Sequence, residues 1–215
     1  MKRKNYESIS ELFAQAETYL KNGMEHEEIK KKLSQKGYKQ NIFLEGEALL
    51  TECKLLHHQK NTMYGEKSEL SSLYQTQVEE ARSTFLDHVA IVKHVYRKDP
   101  IRLSKFNATK FSKKVSEWTL QAIYFYDKVE EHAEALAPQG LSSEETAQAK
   151  AMIAAISDLR HRRMQKKGEA EEATSSRNAS IKALKVWMSD FRYVARMALR
   201  DNPQLLEALG MVVKA

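Results

Sequence analysis

The chain has 215 residues, 35 of them Lys or Arg and 29 Asp or Glu, for a net charge of +6, with only 7 Gly and 3 Pro. That length buries a substantial core unaided, and Cys53, the only cysteine, excludes an internal disulfide framework and a cysteine-rich zinc module. Abundant Ala, Glu, Lys and Leu with few breakers predict an all-α fold.

At the start, "MKRKNYESISELF" is basic, but Asn5, Glu7 and Ser8 interrupt the apolar core that a secretory peptide needs. No run of about 18 apolar residues follows anywhere, so no membrane span is predicted and a cytoplasmic location is the expectation. Ser8 and Glu11 have capping-box spacing and open a first helix, with an interruption expected at Asn22-Gly23. "EEIKKKLSQKGYKQNIFLEG" then predicts two small helices about Gly37, as in a helix-turn-helix. Its Lys30, Lys31 and Lys32 are explained as helix C-terminal cations without any ligand, with phosphate contacts as the alternative.

Cys53 lies on "GEALLTECKLLHH" beside Leu49, Leu50 and Leu56, where a small core hydrophobe is expected; a thiolate–imidazole pair with His57 or His58 is the catalytic alternative. Gly65 marks a helix break. Val78, Ala81, Phe85, His88, Val92 and Val95 then form one apolar stripe. Asp99, Pro100 and Asn107 punctuate a short helix as N-cap, first residue and left-handed stop.

A second stripe runs from Phe111 through Val115, Trp118, Ala122, Phe125, Val129 and His132 to Leu136. Gly140 predicts a turn and Ser142 with Glu145 a second capping box. "RHRRMQKK", Arg160 to Lys167, precedes Gly168 and "EAEE", which places cations before a break and anions after it. Ile181, Leu184, Met188, Phe191, Ala195 and Ala198 form the last stripe, and Asn202, Pro203 and Gly210 repeat the punctuation of Asp99, Pro100 and Asn107.

Sliding the chain by 103 positions aligns Gly65 with Gly168, Asp87 with Asp190, Arg97 with Arg200 and Pro100 with Pro203. Eight of the 43 pairs from Gly65 to Asn107 are identical, where about three are expected by chance. Self-similarity at one offset predicts an internal duplication. The expected architecture is an elongated antiparallel helical bundle of two tandem three-helix units, residues 1–107 and 108–215, packed as one domain. A rival carries the helices through Gly65 and Gly168, making two helices of nearly 60 residues in a long four-helix bundle. Tandem three-helix units resemble spectrin repeats and the PhoU phosphate-signalling regulators in helix count and length. The latter's repeated acidic spacing has only the single match Asp127 with Glu131, so the resemblance carries no functional residue over.

No catalytic, cofactor or metal motif emerges. Asp158 with His161 is the only acid-x-x-His spacing, far from the four-carboxylate di-iron pattern. His88 and His132 sit on stripes as core or boundary residues, and the counterpart of His88 is Phe191. Asp87 and Asp190 are kept in both repeats, as solvated acids or as a symmetric polar interface. Tyr124 and Tyr126 mark a contact surface if both are exposed. The expectation is a non-enzymatic scaffold, adaptor or regulator acting through a protein partner or self-association. The alternatives are a nucleic-acid-associated protein using Lys30, Lys31, Lys32, Arg160, Arg162, Arg163, Lys166 and Lys167, and a small-molecule sensor with its ligand between the units.

Overall fold

The structure, a computed structural model, describes residues 8–108 and 110–212. Their regular structure is α1 (Ile9–Glu25), α2 (Glu27–Gln35), α3 (Gln40–Val95), α4 (Pro100–Lys105), α5 (Val115–Glu131), α6 (Ala133–Leu136), a 3-10 turn (Ala137–Gln139), α7 (Ser143–Ala198) and α8 (Gln204–Ala208). No strand occurs among the described residues, and the fold is the expected all-α bundle.

Local chemistry explains most helix ends. At α1 the Glu11 N–H donates to Ser8 Oγ at 3.2 Å while the Ser8 N–H donates to Glu11 Oε2 at 2.7 Å, closing the capping box. The Asp99 carboxylate accepts from the Arg102 N–H at 3.0 Å with Pro100 opening α4, and Asn107 follows at φ 49°. At the corresponding end of the chain Gly210 is left-handed, at φ 68°, as expected. Asn202, however, is no side-chain cap: its Nδ2 donates to Glu28 at 3.0 Å, and Pro203 stands at the N-cap position of α8. The interruption expected at Asn22-Gly23 falls later, at His26. Gly23 instead permits a close approach, since a Cβ there would lie 2.6 Å from the Phe43 ring.

The expected breaks at Gly65 and Gly168 do not form. α3 and α7 each run 56 residues without interruption, as in the long-helix rival. A lone glycine costs a helix only about 1 kcal/mol, and helix propagation across it is cheaper than a new pair of unsatisfied ends. Neither residue serves a close contact, because nothing lies within 4 Å of a Cβ built on either. Gly65→Ala and Gly168→Ala are therefore expected to stabilise the chain by about 0.5–1 kcal/mol each. Thermal unfolding of the two variants checks this; a lower melting temperature would mean that the glycines are needed.

The chain divides into two compact units, the first running to Tyr64 and resuming at Glu169, the second spanning Gly65–Gly168. These differ from the sequence repeats 1–107 and 108–215, because each unit draws on both. The first unit holds α1, α2, residues 40–64 of α3, residues 169–198 of α7, and α8. The second holds residues 65–95 of α3, α4, α5, α6 and residues 143–168 of α7. Continuous long helices produce this exchange: each carries its repeat's second half into the unit begun by the other repeat.

The elements themselves repeat closely. Gln40 and Ser143 open α3 and α7 103 positions apart, and Val95 and Ala198 close them at the same offset. Left-handed Gly37 and Gly140, at φ 83° and 94°, keep it too. α1 and α5, each of 17 residues, correspond at 106 positions instead. At that spacing buried Leu12, Ala16, Tyr19, Leu20 and Gly23 match buried Trp118, Ala122, Phe125, Tyr126 and Val129 without exception.

Each unit has its own core. In the first, Phe191 stacks on Tyr19 with centroids 4.9 Å apart and on Trp187 at 5.6 Å, and the indole N–H of Trp187 donates to the Ile42 carbonyl at 3.0 Å. In the second, Phe85 meets Phe111, Trp118, Phe125 and Tyr126. All three predicted stripes face these cores, with Ala81, Phe85, His88 and Val92 buried in one and Leu184, Met188, Phe191 and Ala195 buried in the other.

Candidate functional site

α5 is amphipathic, but its apolar residues extend beyond the face that it buries. Val115, Trp118, Ala122, Phe125, Tyr126 and Val129 turn inward, yet Leu120, Ile123 and Tyr124 turn outward and remain 68%, 42% and 46% exposed. Leu120 and Ile123 line a groove of about 380 Å³ between α5 and α7, floored by Ile153, Ala154 and Ile156, with Arg160 at one end and Lys150 at the other. The Lys150 ammonium bridges Asp127 at 2.7 Å and Glu130 at 2.8 Å. Desolvation alone would lower its pKa, but the bonds to these carboxylates outweigh it and hold the group above its ordinary value.

The repeat supplies an internal comparison. The equivalent groove of the first unit, about 700 Å³ between α1 and α3, is lined by Ala14, Glu17, Thr18, Glu47, Thr51 and Lys54, among others. Ala14, Glu17 and Thr18 stand where α5 has Leu120, Ile123 and Tyr124, and an ion pair of Lys54 with Glu17 spans that groove. In the second unit the same two positions are Ser157 and Ile123, which cannot pair. One architecture thus carries a polar groove in one unit and an apolar one in the other.

The residues singled out in the sequence are distributed unevenly. Tyr124 is exposed, its hydroxyl 3.4 Å from the Lys105 carbonyl. Tyr126 is not: it is fully buried, its hydroxyl 3.0 Å from His88 Nδ1, so it belongs to the core rather than to a contact surface. The buried arc of α5 is wider than a two-per-heptad seam and takes in Phe125 and Tyr126 together. Asp87 and Asp190 are exposed, Asp87 in the second unit and Asp190 in the first. Asp190 lines a groove of about 750 Å³ with Tyr38, Ile42, Leu49, Val186 and Trp187. The Tyr38 hydroxyl is buried there without a hydrogen-bond partner among the described residues, and its pKa is raised first by desolvation and then by Asp190 and Glu45.

The two basic clusters lie in different units. Lys30 and Lys31 are exposed on α2, while Lys32 approaches Glu28 at 3.8 Å. On α7, Arg160 and Arg162 are exposed and enter no ion pair among the described residues; Arg163 lies over the Tyr74 ring at 4.7 Å, and Lys166 binds Glu66 at 2.8 Å. Lys167 is also exposed. Arg163 and Lys166 of this cluster therefore contact other parts of the fold, and Arg160 lines the groove beside α5.

Cys53 is buried, which raises its thiol pKa and disfavours the thiolate. His88 is buried against Tyr126, and desolvation lowers its pKa; His132 rests half-buried on Phe106, ring centroids 5.3 Å apart. Asp158 and His161 are exposed, and no group of three or more His, Cys, Asp or Glu among the described residues is placed to hold a metal ion.

Leu120 and Ile123 were not among the residues marked by sequence. The signal lies in Leu120 and Ile123 standing where α1 has Ala14 and Glu17, and it is read only in a register of 106 rather than 103 positions. No helix of the described residues is long and apolar enough to cross a membrane. No protein-family model matches the chain, and no curated protein or solved structure is significantly similar to it.

Proposed function

We propose that the chain is a non-enzymatic, cytoplasmic helical module that acts through protein contacts, as a scaffold, adaptor or regulator. The observation that supports this reading is the outward face of α5: Leu120, Ile123 and Tyr124 stay exposed, the first two along a groove whose twin in the same molecule is polar and ion-paired. Contiguous apolar surface costs solubility, and on a folded protein it marks an interaction site. Capture of copurifying proteins by the tagged chain, with and without nuclease, tests this against a Leu120→Glu, Ile123→Glu variant. A protein set that resists nuclease and disappears with the variant is expected; a set unchanged by the variant would refute a role for this face.

A second reading rests on Arg160 and Arg162, exposed and unpaired among the described residues. If they contact nucleic acid, binding to a fluorescent duplex falls steeply with salt, each phosphate contact adding about 0.9 to the log–log slope. Charge reversal at Arg160, Arg162, Arg163 and Lys167 then abolishes it. Binding that ignores both salt and charge reversal would eliminate this alternative.

A further inference from the structure

We infer that the outward face of α5 is a self-association surface, on which a second copy of this chain docks its own α5 in antiparallel orientation about a two-fold axis near Ile123. This rests on the protein-contact reading above and names the partner. Ile123 is the ninth of the 17 residues of α5, so the apolar patch sits at the middle of the helix. A two-fold axis one residue away, level with Ala122, sets Leu120 of one copy against Tyr124 of the other in both directions, the self-complementarity that an isologous contact requires.

Charge selects the occupant. Lys110, Lys113 and Lys114 lead into α5 with Glu117 among them, a net charge of +2, whereas Asp127, Glu130, Glu131 and Glu134 close it against Lys128 and the bridging Lys150, a net charge of −2. This polarity runs against the helix macrodipole, which favours anions at the N-terminus and cations at the C-terminus. A uniformly acidic or basic partner helix would match one end of the face and clash with the other. An antiparallel copy matches both, bringing Lys113 and Lys114 level with Glu130 and Glu131 of the second copy. The first unit supplies the contrast, since its twin face at Ala14, Glu17 and Thr18 is polar and already crossed by the Lys54 pair.

A single helix face of about 25 Å covers less than the roughly 800 Å² per partner of a standard interface. Association is therefore expected to be reversible and in the micromolar range.

Analytical ultracentrifugation of the full chain from about 1 to 200 μM tests the inference. The expected result is a monomer–dimer equilibrium that Ile123→Glu weakens at least about tenfold, since the glutamates would face each other in an apolar contact. Ile123→Ser, with circular dichroism on both variants, separates this from misfolding. The variant Lys113→Glu, Lys114→Glu and the variant Glu130→Lys, Glu131→Lys should each associate several-fold more weakly than wild type. Their equimolar mixture should recover, because the heterodimer restores opposite charges at both ends. A wild type that stays monomeric, an association untouched by Ile123→Glu, or a mixture no tighter than its components would overturn the proposal. A monomeric wild type whose copurifying proteins still vanish with Ile123→Glu would sink self-docking alone. A chain that neither self-associates nor loses copurifying proteins in that variant would sink the protein-contact reading of this face as well.

Discussion

Gly46→Ala is expected to destabilise the chain by about 3 kcal/mol, near the upper end of overpacking costs. A Cβ on Gly46 would lie 2.2 Å from the Trp187 ring, far inside van der Waals contact. The indole cannot retreat cheaply: it is buried, stacked on Phe191 with an interplanar angle of 19°, and tied by its N–H to the Ile42 carbonyl. The gain in helix propensity, about 1 kcal/mol, offsets only part of the clash. In the second unit Ala149 stands at the equivalent position, and the counterpart of Trp187 is Thr84. The small side chain and the large ring are therefore alternatives. In a Trp187→Thr background, itself destabilised by loss of the buried ring, Gly46→Ala should become stabilising by up to about 1 kcal/mol. Urea denaturation of the four proteins measures the coupling, and an equal cost in both backgrounds would show that the clash is not with Trp187.

His88→Phe should destabilise the chain by about 1–3 kcal/mol at pH 8, although phenylalanine occupies the equivalent position in the first unit. The reason is Tyr126, which is fully buried and loses the partner of its hydroxyl. The twin pair, Phe191 with Leu20, has no hydroxyl to satisfy. His88→Phe combined with Tyr126→Phe should therefore recover most of the loss, and failure to recover would assign the cost to packing.

The same histidine sets an acid response. Desolvation holds the folded-state pKa of His88 below its ordinary value, against smaller opposing effects of Glu145 and Asp87. Below about pH 6.5 the unfolded chain then binds a proton that the folded one refuses, so the stability present above that pH declines as acid is added. The double variant lacks this response, so its stability relative to wild type should rise as pH falls from 7 to 5. Parallel stability–pH curves would show that His88 does not titrate differently on folding.

Much of the fold was legible along the chain because the relevant physics is local or periodic. The 4-3 spacing of Trp118, Ala122, Phe125 and Val129, and of Ala81, Phe85, His88 and Val92, predicts which faces are buried, and those faces are buried. The capping box at Ser8 and the left-handed stops at Asn107 and Gly210 follow from side-chain hydrogen bonding and backbone sterics over four or five residues. Gly65 and Gly168 failed as break signals because a glycine in an exposed helix is a small penalty, which the continuing hydrogen-bond ladder absorbs.

The candidate site was less legible. The aromatic run containing Tyr124 was conspicuous, but Tyr126 went inward and Leu120 and Ile123 went outward, a division set by which arc of α5 the neighbouring helices cover. That arc depends on contacts between residues tens of positions apart, such as Tyr126 with His88, and composition carries no record of them.

By itself, then, the sequence determined the helical class, the buried stripes, the punctuation of the short helices and a repeat at 103 positions, all consequences of backbone propensity and 3.6-residue periodicity. Only the tertiary structure decided that each long helix contributes to both cores and that the first helices correspond at 106 positions. It also decided that the outer face of α5 stays apolar and open where its twin is bridged by Lys54 and Glu17. Those outcomes depend on which distant surfaces exclude water from one another, and a face left uncovered has the same local sequence signal as one that is buried.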